Sequence, residues 1–123
     1  MTIAFWCVLA AAFLPFPFTL AAKWSRRFDN ARPRAYFETV EGWRQRAHWT
    51  QLNSFEAFPA FAAAVIVNHL VLGANGRADA LALAFIGFRL LYGLCYLADK
   101  ATLRSLMWLA ASGCVIALFV SAA

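Results

Sequence analysis

The chain has 123 residues, of which 63% are hydrophobic and 14% charged, against roughly 45–50% apolar and about 25% charged in an ordinary soluble domain. That balance excludes a water-soluble monomer, and 16% aromatic residues exclude a disordered chain. The net charge of +5 does not point to nucleic acid, because seven of the eleven basic residues, Lys23, Arg26, Arg27, Arg32, Arg34, Arg44 and Arg46, crowd one segment as in a membrane-flanking loop.

A bilayer core about 30 Å thick needs about 20 apolar residues per helix, so the length suits one all-α membrane domain of four spans. Met1 to Ala22 holds no charge and reads as a retained first span, since no basic residue precedes Lys23 as a signal peptide would require. Pro15 and Pro17 predict a kink within it. Lys23 to Pro33 is a polar loop, and Pro33 is placed to open a helix that runs through the basic segment, with Gly42 its weak point. The second span is Ala47 to Leu72 and carries His48, Gln51, Asn53 and Glu56, whose polar groups should face protein. Gly73-Ala74-Asn75-Gly76 is a turn signal, followed by a third span from Ala80 to Ala98. A charged turn from Asp99 to Arg104 leads to the fourth span, Ser105 to Ala123.

Basic residues dominate the first loop, and Lys100 and Arg104 mark the third, whereas the second has Arg77 alone. The positive-inside rule then places the first and third loops in the cytoplasm and both termini on the opposite side. Cys7, Cys95 and Cys114 lie in apolar stretches without metal or disulfide spacing, and neither His48 nor His69 has a second ligand at helical spacing, so no metal site is expected. Trp24, Trp43, Trp49 and Trp108 read as interfacial anchors.

Two ionisable side chains, Glu56 and Arg89, sit inside otherwise apolar spans, where one charge costs at least about 2.5–3.5 kcal/mol. Both lie about ten residues, roughly 15 Å, from the same boundary, which predicts a carboxylate–guanidinium pair between the second and third spans. Arg46, Thr50 and Asn53 share a helix face approximately with Glu56, and Arg89, Tyr92 and Tyr96 share another. With Arg104 they outline a polar funnel, suited either to a small anion or zwitterion or to clamping the helices together. A four-span drug and proton exporter fits less well, because the first span has no acid and Glu56 has an arginine at matching depth.

The strings Arg46-Ala47-His48, Asn53-Ser54-Phe55-Glu56-Ala57-Phe58-Pro59, Arg89-Leu90-Leu91-Tyr92 with Tyr96, and Arg104 resemble the MAPEG family, membrane-associated proteins in eicosanoid and glutathione metabolism, especially its small bacterial members. The resemblance covers most of the chain. It implies a four-helix bundle in a bacterial inner membrane, assembled as a homotrimer with glutathione as co-substrate between subunits. It further implies that Arg46, Asn53, Glu56, Arg89, Tyr92 and Tyr96 bind or support glutathione, while Arg104 stabilises its thiolate for attack on a small lipophilic substrate. Thr50 stands where several eukaryotic members carry a second arginine. Some members bind lipids without catalysis, so a non-enzymatic lipid-binding or scaffold role is the alternative.

Overall fold

A computed structural model describes all residues from Met1 to Ala123. The uncharged N-terminal stretch forms α1 (Ile3–Phe13) and α2 (Pro15–Lys23), which together make one candidate span. Leu14 between them keeps right-handed helical angles. The interruption falls where expected, because Pro15 and Pro17 offer no N–H to the carbonyls one turn earlier.

The loop that follows is folded. Pro33 opens α3 (Pro33–Thr39), whose Tyr36 is buried and donates its hydroxyl to the Ala22 carbonyl at 2.7 Å. The expected continuous helix from Pro33 is corrected here. Val40 and Glu41 are extended, and Gly42 takes a φ of +66°, a left-handed angle that costs a glycine little. A new helix, α4 (Gly42–Leu72), starts there. Its 31 residues reach about 46 Å, longer than a hydrocarbon core of about 30 Å, so it is long enough to extend past that core by several turns.

The turn after α4 is the one its sequence announces. Gly73 adopts a φ of +70°, and the Asn75 side chain accepts from the Ala78 N–H at 2.8 Å, capping α5 (Gly76–Leu97). That cap starts α5 at Gly76 rather than Ala80. At its other end Lys100 N–H bonds the Cys95 carbonyl, Asp99 N–H bonds the Tyr96 carbonyl, and Asp99 is left-handed at φ +56°. This is a Schellman cap with an aspartate where glycine is usual. The chain turns tightly into α6 (Ala101–Val120), so the fourth span begins before Ser105.

Each of the four spans is long and apolar enough to cross a membrane. Helix α4 packs against α1, α2, α5 and α6, and α5 packs along α6 and α1. The core is built largely from small side chains, including Ala4, Cys7, Ala11, Ala64, Ala82, Ala111 and Cys114. Small residues let backbones approach where no water-driven collapse operates. Phe61 and Phe85 stack at 3.9 Å in the middle. At Gly93 the approach is close enough that a Cβ there would overlap the Phe18 ring. Large apolar side chains such as Leu20, Leu70, Leu83 and Ile116 point outward, as lipid contact requires.

The two ends of this bundle differ. At the end bearing the Gly73–Gly76 turn, Asn68 is fully buried and donates to the Leu118 carbonyl and the Ser121 hydroxyl, both at 2.8 Å. Asn75 donates in turn to the Asn68 side-chain oxygen at 3.0 Å. Asp79 accepts from the Ala4 N–H at 2.8 Å, giving α1 a cap from another helix. One connected set of hydrogen bonds thus ties all four spans together. The other end is open.

Candidate functional site

At the open end α4, α5 and α6 diverge around three adjoining grooves of about 370, 360 and 460 Å³. Asn53 lines all three, so they meet at that side chain. Glu56 belongs to the first two, Tyr92 and Tyr96 to the second and third, and Arg104 to the third. Arg89 lines the first, which runs on past Ala57, Ala60, Phe85 and Val115 into the apolar part of the bundle. The space is therefore polar at one end and apolar at the other.

Arg89 and Glu56 share this space but are not the ion pair expected from their depths. Arg89 is 2% exposed; its Nη2 donates to the Ser54 hydroxyl at 3.3 Å, and its guanidinium lies 4.3 Å from the Tyr92 ring centre. Glu56 is exposed and accepts from the Asn53 amide at 3.2 Å. The reason is angular. Ser54 and Glu56 are two residues apart, about 200° around the helix, so when Ser54 faces α5 the carboxylate turns to the groove. Equal depth was legible in the sequence; the rotation of α4 was not.

Tyr92 and Tyr96, one turn apart on α5, meet edge to face at 5.7 Å. A guanidinium sits over each ring: Arg89 over Tyr92, and Arg104 over Tyr96 at 4.5 Å. The Schellman turn brings Arg104 back beside α5 and thereby sets this second contact. Cation–π contacts hold a guanidinium in place without consuming its N–H donors.

Arg46 lies outside the grooves' lining but bridges α4 to the end of α5, donating through Nη2 to the Leu97 carbonyl at 3.2 Å. Thr50 is fully buried and bonds back to the Arg46 carbonyl at 2.9 Å, so it takes no part in the grooves. Two buried side-chain atoms in the protein have no hydrogen-bond partner: Arg46 Nε, a donor, and Asn53 Oδ1, an acceptor. Buried polar atoms are nearly always paired, and these two lie about two turns apart on the same helix face.

Sequence reasoning missed Ser54, the acceptor that holds Arg89, although its spacing of four from Thr50 puts it on the same buried face. It also placed Trp108 and Trp49 at the interface as anchors, whereas both line the grooves, with Trp49 6.1 Å from Tyr96. Their indoles are 46% and 42% exposed, so these side chains both wall the grooves and face outward. His48 stacks on Phe37 at 4.2 Å, and His69 packs on Phe5. No cluster of three histidine, cysteine or acidic side chains forms.

No curated protein was found to match the chain. The model of the MAPEG family matches residues 3–123, essentially its whole length, and the chain therefore belongs to the MAPEG family.

Proposed function

We propose that this protein is a glutathione transferase or glutathione-dependent peroxidase acting on lipophilic electrophiles that enter from the bilayer. The observation that carries this reading is the pair of unpartnered buried atoms, Arg46 Nε and Asn53 Oδ1, on one face of α4, of which Asn53 lines a groove that passes from polar to apolar. A peptide-like thiol supplies a carboxylate for the first and an N–H for the second. Arg104, in the polar groove, is the cation that lowers the thiol pKa and raises the thiolate fraction at neutral pH. The sulfur then attacks an electrophilic carbon presented from the apolar groove, forming a thioether as the carbon's leaving group departs as an anion. Or it attacks a peroxide oxygen, breaking the O–O bond to release the alcohol and leave a sulfenic acid that a second glutathione converts to the disulfide and water. Arg89, Tyr92, Tyr96 and Glu56 shape the wall and hold Arg104 and Asn53 in place.

On this reading the grooves, which open on the outer face of the bundle, are closed by neighbouring copies in a homotrimer. The basic loop and Arg104 face the cytoplasm of a bacterial cell, whose inner membrane holds the protein, and both termini lie on the opposite side. Turnover of 1-chloro-2,4-dinitrobenzene and of cumene hydroperoxide with glutathione tests the assignment. Wild type should turn over at least one of them, and Arg104→Ala should lose that activity while keeping its assembly. A folded protein that neither binds glutathione nor uses it would overturn the reading in favour of a non-catalytic lipid-binding role.

A further inference from the structure

The loop between the first two spans holds a cavity of about 520 Å³, separate from the grooves above and unused by the proposed chemistry. Arg27, Arg32 and Arg44 line it together with Ser25, Asp29 and Glu41. A second groove of about 470 Å³, carrying Arg26 and Trp24, shares Ser25 and Arg44 with it.

The cavity's walls are fixed by bonds that do not involve a ligand. Tyr36 is buried and anchors α3 to the end of α2 through the Ala22 carbonyl. Phe28 packs edge-on against Tyr36, and Lys23 covers the Phe28 ring at 5.0 Å. Asp29 accepts from the Ala31 N–H at 2.8 Å, which occupies one of its oxygens in shaping the turn. Arg44 donates Nε to the Trp24 carbonyl at 2.7 Å, which leaves the donors of its two terminal nitrogens for a ligand.

Position and charge select the ligand. The cavity begins where α2 ends at Lys23, at the edge of the first span. Trp24, 78% exposed, lines the adjoining groove, and Trp43, 41% exposed, has the Arg44 guanidinium 4.6 Å from its ring centre. Exposed indoles beside a span sit at headgroup depth. Guanidinium forks match the oxygens of a phosphate, each able to give two parallel hydrogen bonds.

We propose that this cavity binds the phosphate of an anionic phospholipid, with Arg27, Arg32 and the terminal nitrogens of Arg44 as its donors. A basic loop attracts any anionic surface; the proposal assigns the contact to these side chains and this cavity. The indole of Trp24, just past the end of the first span, then lies against the glycerol region of the same lipid. The inference stands independently of the glutathione reading.

Native mass spectrometry of the detergent-purified protein, supplied with equal amounts of dioleoylphosphatidylglycerol and dioleoylphosphatidylcholine, tests it. The expected result is retention of the anionic phosphatidylglycerol in preference to the zwitterionic phosphatidylcholine. Arg27→Gln/Arg32→Gln should weaken that retention by about tenfold or more, as loss of charge-assisted hydrogen bonds implies. Arg34→Gln removes a charge from the same loop but outside the cavity, and should change retention by less than about twofold, since a detergent micelle presents no charged surface. Circular dichroism of the variants reports whether the fold is retained. Equal loss in all variants, or no preference in wild type, would overturn the site. Displacement of the lipid by inorganic phosphate at equal concentration would overturn the lipid as its occupant.

Discussion

The two ends of the bundle use similar polar side chains for different ends. At the closed end, Asn68, Asn75, Ser121 and Asp79 bond to one another or to backbone across all four spans. At the open end, Asn53 and Arg46 make one hydrogen bond each and keep a buried atom unpaired. In a bilayer a polar side chain is costly unless satisfied, so a saturated network is sufficient as a helix clamp. An unsaturated one has capacity left for a ligand. Counting partners, more than counting polar residues, separates structure from site.

The comparison breaks most visibly at Arg104. Arg104→Ala is expected to lower thiol-dependent turnover by about 100- to 1000-fold, as loss of a preorganised charge stabiliser does, with no change in thermal stability in detergent. The corresponding change at the closed end is Asn68→Leu. It leaves the Asn75 amide and the Ser121 hydroxyl each short of a partner and should cost about 1–2 kcal/mol of stability, read as a lower melting temperature, with glutathione affinity unchanged. Gly93→Ala probes the packing beneath the open end. Its methyl meets the Phe18 ring, and the overpacking should cost about 1–3 kcal/mol and be relieved in part by a second change, Phe18→Leu. The smallest effect is expected at Asp99, whose left-handed angle suits glycine better. Asp99→Gly should stabilise by at most about 1 kcal/mol and leave turnover intact if Arg104 keeps its place over Tyr96.

Much of the fold was legible because it depends on local chemistry. Pro15 and Pro17 located the break in the first span, and the Gly73–Gly76 signal located a turn that Asn75 then caps. The break before Gly42 was only half visible: the glycine was noted, but the hydrogen bond by which Tyr36 ties α3 to the end of α2 is a contact that no spacing reports. In the site, depth along a helix was readable from residue counts, which brought Glu56 and Arg89 to one groove. Rotation about the helix axis was not, because it is set by packing against α5. For that reason Arg89 bonds Ser54 where Glu56 was expected. Trp108 shows the same limit, since a boundary tryptophan reads as an anchor whether it faces lipid or a groove.

The central claim, that the open end is a ligand site and the closed end a clamp, is tested most directly by calorimetric titration of glutathione into detergent-purified wild type, Asn53→Leu and Asn68→Leu. Saturable binding in wild type, weakened about tenfold or more in Asn53→Leu and unchanged in Asn68→Leu, is the expected result. Affinity that is insensitive to Asn53→Leu, or no binding by folded wild type, would contradict it.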